Sequence, residues 1–218
     1  MANLTQDTVA LANANAAAIV ASNTPAGAGN LTIVGGSPFT MDAPRRVRVT
    51  FGVEATARLI QFFGTDRNGN AINETLTVPS GAGGTADTQQ DFATVTRVAV
   101  FAAWSAAMTV GTSPVGSSAW KSVNQQITPV QIGLAVVVSG TVNYTVEYTY
   151  EDPNAATMGM SFANGVAPTP FPLTALAAQT TSKDSNITWP IRAYRLTVNS
   201  STSPGQATLN AVPAGMSN

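Results

Sequence analysis

The 218-residue chain has no cysteine and no histidine, and its only lysines are Lys121 and Lys183. Each absence removes a class of chemistry. No disulfide framework, thiolate nucleophile or Ser-His-Asp triad can be built. Zinc and similar metals lose their preferred ligands, so only an all-oxygen site for a hard cation remains. Charged residues make up 10% of the chain, against roughly 25% in an ordinary soluble domain. Ten basic and eleven acidic side chains leave a net charge of -1. That balance argues against sequence-independent nucleic-acid binding, which relies on several Lys and Arg to displace counterions. The composition predicts neither an enzyme nor a protein with a cofactor or metal.

Long apolar runs are missing too. Runs such as Ala16–Ala21 and Leu134–Val138 are far short of the about 20 residues that a membrane-spanning helix needs. Residues 1–28 carry no basic segment ahead of an apolar one, so no secretory signal is expected and the chain reads as made in a cytosol. The length suits one large domain or two small ones.

What is present is short-period alternation. Residues 1–30, rich in Ala, Asn and Thr, read as a short helix or extended arm with Val9, Leu11, Ile19 and Val20 as its apolar anchors. From residue 31 the pattern has period two. Val47, Val49 and Phe51 alternate with Arg46, Arg48 and Thr50, and Leu59–Phe63 reads as a central strand. Asp66–Asn70 is a hairpin turn, since Asn-Gly tolerates positive φ, and Ile72–Val78 returns beside the first arm. Further strands are expected within Phe92–Phe101 and Met108–Val110.

Ser113–Ser118 reads as a hinge between residues 31–118 and 119–218. In the second half, Val130–Val138 and Val142–Tyr150 predict a hairpin turning at Ser139-Gly140. A last hairpin joins Arg192–Val198 to Ala207–Val212 through Asn199–Gly205, and residues 154–188 form a long loop. The expected fold is all-β: antiparallel β-sandwich of jelly-roll or immunoglobulin-like type, in two tandem halves with an N-terminal arm.

Candidate sites are few. Asp66, Asn68 and Asn70 have the spacing of a calcium loop, but the bidentate Glu expected at its twelfth position is Thr77; a tight turn explains them as well. Gly81, Gly83 and Gly84 form a glycine-rich loop followed by Asp87 and Asp91, without the Lys and helix that hold a phosphate. Glu151 and Asp152 are neighbours at a strand end and point apart, which does not suit the paired carboxylates of glycoside hydrolysis. Trp104, Trp120 and Tyr148 are candidates for a sugar-binding surface, although aromatics at period two also form cores. Met158, Met160, Phe162 and Phe171, in a Pro-rich loop, suit docking onto a neighbouring subunit; the arm residues Val9, Leu11, Ile19 and Val20 are its companions.

Several strand-and-turn phrases carry a family likeness. Pro44-Arg-Arg-Val-Arg-Val-Thr50 and the phrase from Phe63-Gly-Thr-Asp through Glu74-Thr-Leu76 resemble virion structural proteins of tailed bacteriophages. Phe92–Val98 with Val110-Gly-Thr112, Ser139–Asp152 and Pro190–Val198 resemble later segments of the same family, whereas 154–188 departs from it. The resemblance spans roughly residues 30–212 and implies a non-enzymatic particle component with no active-site residues to carry over. It implies a capsid decoration or cement protein that bridges shell subunits as a homo-oligomer, or else a tail, collar or baseplate part. The implied partners are the major capsid protein or tail proteins, with neither nucleic acid nor membrane, and the location is the virion, after synthesis in the host bacterial cytoplasm. The residues themselves leave a carbohydrate- or cell-surface-binding module as a further alternative.

Overall fold

The computed structural model describes residues 4–124, 131–153 and 168–213. The described chain is built of antiparallel strands, and its one helical element is a three-residue 3₁₀ turn, Thr174–Leu176. It forms two compact units. Ala14–Ser113 make the inserted unit, and the chain before and after it makes the flanking unit. The first strand, β1 (Thr5–Ala10), belongs to the flanking unit.

The inserted unit is a sandwich of two sheets. Its strands are β2 (Val20–Asn23), β3 (Gly29–Asn30), β4 (Phe39–Arg45), β5 (Val47–Phe51), β6 (Arg58–Thr65), β7 (Ala71–Val78), β8 (Gly84–Asp87), β9 (Phe92–Val100) and β10 (Met108–Thr112). One sheet runs β2-β10-β5-β8 and the other β3-β9-β6-β7, with β4 also paired to β9. The alternation read from sequence fills the space between them: Val47, Val49 and Phe51 meet Ile60, Phe62, Val95 and Val98 in a single core. Side chains on one parity of each strand leave water, which is the main force holding two sheets face to face. Phe62 and Phe92 pack edge to face at 6.5 Å. The Asp66–Asn70 turn joins β6 to β7 as expected, with Gly69 at φ 82°. Leu31 and Ile33 are buried but lie outside any strand, after β3 rather than in a strand of their own.

The flanking unit contains β11 (Gly116–Ser117), β12 (Lys121–Ser122), β13 (Ile132–Thr149), β14 (Phe171–Pro172), β15 (Lys183–Ile187) and β16 (Ala193–Pro213). Here the sequence expectation fails in an instructive way. Neither Ser139-Gly140 nor Asn199–Gly205 is a hairpin turn. β13 and β16 are continuous strands of 18 and 21 residues, paired antiparallel along nearly their whole length. The two turn-like segments lie opposite each other, Ser139 facing Gln206 and Thr141 facing Thr202, and the register shifts between them. A glycine at positive φ serves a bulge as readily as a turn, and Gly140 has φ 74°.

Beyond the bulges the two long strands acquire different neighbours. Toward Ile132 the strand order is β15-β13-β16-β1; toward Thr149 it is β14-β13-β16, with β11 and β12 on the far side of β16. The sheet nearly closes on itself. Lys121 Nζ lies 3.3 Å from Asp7 Oδ2, and the hydroxyls of Thr5 and Tyr194 are 3.3 Å apart, joining β1 to the other half of the sheet. Leu134, Val136, Tyr144, Val146, Leu196 and Leu209 are buried in its core.

Two further expectations change. The described part of the expected arm, residues 4–30, is built into the two units: Thr5–Ala10 pair with Gln206–Ala211 in the flanking unit, while β2 pairs with β10 in the inserted one. Thr and Gln favour this outcome because they find like partners across the ladder, as in Thr8–Thr208 at 2.9 Å and Gln6–Asn210 at 3.1 Å. The described part of the predicted loop 154–188 contains β14, the 3₁₀ turn and β15. Buried Leu173, Leu176 and Ile187 hold it to β13, and Tyr144 and Gln179 exchange both backbone hydrogen bonds at 2.8 Å.

Candidate functional site

The contact residues expected from sequence separate into three groups. Val9 and Leu11 are buried in the flanking unit, and Ile19 and Val20 in the inserted unit. These four anchor their own folds and are not available as partner contacts, because an apolar side chain already removed from water gains little by changing neighbours. Met158, Met160 and Phe162 lie outside the described residues. Phe171, on β14, is exposed.

The polar candidates are engaged locally. Asp66 accepts the amides of Asn68 and Asn70 and the Asn70 side-chain amide at 2.8–3.0 Å, so its oxygens close the turn. Gly81 takes a φ of 85° and donates its N–H to Glu54 O at 2.8 Å, which ties the glycine-rich loop to the segment after β5. Asp87 receives a two-pronged contact from Arg48, both distances 2.7 Å, and the Ser113 hydroxyl at 2.8 Å. Glu151 binds Thr169 and Asp152 binds Arg192, so these neighbouring carboxylates do point to different partners. Among the described residues no group of three acidic side chains is gathered as a metal site.

Sequence reasoning passed over the two most buried carboxylates, Glu54 and Glu74. Glu54, between β5 and β6, has no exposed surface and accepts four hydrogen bonds from Ser105 and Ala106, plus Arg58 Nε at 3.1 Å. Burial pushes its pKa up, but those donors outweigh it and hold the group at about 2. Glu74, on β7, accepts the amides of Gln89 and Gln90 at 2.7 and 2.9 Å. There burial prevails over the amides and over nearby Arg46, and the pKa is raised. Each carboxylate fastens a segment that carries the chain from one sheet to the other. No local signal marks the amides they bind, since those backbone donors lie fifteen or more residues away in sequence.

The aromatic candidates also separate. Trp104 is only 5% exposed and belongs to the inserted unit's core, so it offers no sugar surface. Trp120 is half-buried beneath Arg195, whose guanidinium carbon lies 4.5 Å from the ring centroid. Tyr148 stands at the centre of a cluster with Tyr150, Phe171 and Trp189, at centroid distances of 5.6, 5.7 and 5.8 Å. Burial, then neighbouring Tyr150, raises the Tyr148 pKa, so the Tyr148 phenol stays protonated and able to donate near neutral pH.

No family model matches the chain. No curated protein matches it. Among solved structures, the atomic structure of Sulfolobus Turreted Icosahedral Virus is similar over 92% of this chain and 58% of that one, at 12% identity and a TM-score of 0.24; the chain thus spans less than two thirds of that relative's length. The PBSX exported protein XepA is similar over 95% of this chain and 86% of its own, at 8% identity and a TM-score of 0.23. Likenesses at these scores do not reach a shared fold.

Proposed function

We propose that the chain is a non-enzymatic structural component of a tailed-phage virion, and within that class a decoration or cement protein that bridges shell subunits. The sequence phrases that resemble this family supply the class. The observation that carries the reading is where the charges go. Six ion pairs, each within a single unit, engage at least twelve of the twenty-one charged side chains. Arg45, Arg48 and Arg195 are held this way on strands, and Glu54 and Glu74 bind backbone amides.

Internal pairing leaves much of the surface to Thr, Ser, Asn and Ala, with exposed Val53, Leu59, Phe101 and Val137 among them. Such a surface can be buried against a neighbour without stranding charge, which is the expensive part of forming a contact. A protein repeated many times over a shell gains from each contact that avoids this cost.

The test is its position and copy number in an imaged particle. A decoration protein is found on the shell in numbers comparable to the shell subunit. Low copy number at one vertex assigns it to the tail, collar or baseplate instead. Absence from purified particles overturns the reading.

A further inference from the structure

Four aromatic rings meet where β13 ends, and two of them face water. Tyr148 and Phe171 are register partners across β13 and β14, and their rings stack at 5.7 Å with an interplanar angle of 26°. Tyr150 packs edge-on against Tyr148 at 5.6 Å and meets Phe171 at 5.7 Å and 60°. Trp189 supports Tyr148 from another side at 5.8 Å. Tyr148, Tyr150 and Phe171 all touch one another, so no cage exists between them. A ligand can lie only on the outer faces, those of Tyr150, 54% exposed, and Phe171, 40% exposed.

The corner is braced. Glu151 accepts the Thr169 amide at 2.9 Å and its hydroxyl at 3.0 Å, which ties the residue after Tyr150 to the approach to β14. Arg192 donates its amide to Thr149 O at 2.9 Å and its guanidinium to Asp152 at 2.9 Å. Rings fixed in advance lose little freedom when a ligand arrives.

Charge selects among ligands that stack on aromatic faces. Asp152 is neutralised by Arg192, and Glu151 leaves one negative charge beside the rings. A nucleic-acid strand would bring phosphates to Glu151 and to an arginine already paired with Asp152. A neutral sugar brings none: its C–H face packs on a ring, and its hydroxyls can meet the tyrosine hydroxyls, Thr169 and the Arg192–Asp152 pair. We propose that Tyr150 and Phe171 form the stacking face of a binding site for a neutral saccharide, with Tyr148 and Trp189 as its backing. The site stands whether or not the protein belongs to a virion.

The test is titration of the full-length protein with maltohexaose, cellohexaose and chitohexaose, followed by intrinsic fluorescence and saturation-transfer NMR. At least one probe is expected to bind saturably, with transfer to its ring C–H protons. Tyr150→Ala and Phe171→Ala each weaken that binding by about tenfold, the usual consequence of losing an aromatic anchor; Trp120→Ala leaves it unchanged. Tyr150→Phe keeps the ring and retains most of the affinity, and circular dichroism confirms that each variant is folded. Failure of all three probes to saturate at millimolar concentration overturns the proposal. So do alanine variants that bind like the parent, including variants that fail only to join a particle, since the rings would then be a protein contact.

Discussion

The Glu54 carboxylate meets the main-chain amide of Ser105 with both oxygens, at 3.1 and 3.0 Å. Ser105 Oγ and the Ala106 amide add contacts at 2.9 Å. The β5–β6 and β9–β10 connections, both of which pass from one sheet to the other, are thereby fastened together at one buried point. Replacing Glu54 with Gln keeps the shape but turns an acceptor into an amide donor facing amides, and it leaves Arg58 without its partner. Breaking such a buried arrangement from one side costs about 3 kcal/mol. Chemical denaturation of Glu54→Gln is therefore expected to show a lower midpoint for the inserted unit. An unchanged midpoint would mean that the glutamine amide replaces the carboxylate at no cost.

Glu54 and Glu74 also give opposite pH slopes. Glu54 titrates in the fold at about 2, below the about 4.3 of an unfolded Glu. Its contribution is present above the unfolded value and is lost as pH falls toward 2. Glu74 is raised in the fold, so it binds a proton there before the unfolded chain does. Its stabilising effect on protonation is present at and below the unfolded value and disappears as pH rises through its folded value. Melting temperature against pH should thus hold or rise slightly on mild acidification and fall once pH drops below about 4. In Glu54→Gln the acid-side fall should shrink; in Glu74→Gln the rise should vanish while the fall remains.

The paired bulges of β13 and β16 predict a sharp response at Gly205. A Cβ built there would lie 2.5 Å from Thr141 O and 2.8 Å from Val142 Cγ2. Backbone cannot yield as a long side chain does, so Gly205→Ala should cost about 1–3 kcal/mol. Gly133, whose Cβ would find only ordinary contact at 3.7 Å from Val212 O, provides the comparison on the same ladder. If Gly133→Ala and Gly205→Ala melt alike, the bulge is more pliable than its geometry indicates.

The same ladder explains which parts of the fold could be read from sequence. Val47-Arg-Val-Thr-Phe51 alternates because one face of β5 is core and the other is not, and that signal is local. The β6–β7 turn is equally local, since Asp66 binds amides only two and four residues away. Ser139-Gly140 has the composition of a turn, and whether it becomes one depends on what faces it. Here it faces Thr202–Gln206, some sixty residues further along, and becomes a bulge. Glu54 is hidden for the same reason, because its backbone donors, Ser105 and Ala106, are about fifty positions away. Among the site residues, Tyr148 and Phe171 were visible as apolar or aromatic, but their stacking depends on a two-residue strand that closes against β13.

The N-terminal segment gives the last test, because an arm and a core strand behave differently when removed. Val9 is buried in the flanking unit, and β1 forms a continuous register with β16 from Thr5–Ala211 to Ala10–Gln206. Val9→Ala removes two methyl groups from a packed site and should cost about 2 kcal/mol. Deleting residues 1–10 should cost more, since it also strips the edge of β16 and removes Asp7, the ion-pair partner of Lys121. Hydrogen exchange reads both changes: amides of Gln206–Ala211 should lose protection, while those of β5 and β6 in the inserted unit keep theirs. Full protection of β16 after the deletion would restore the view of residues 1–10 as an arm. It would also return Val9 and Leu11 to the set of candidate partner contacts.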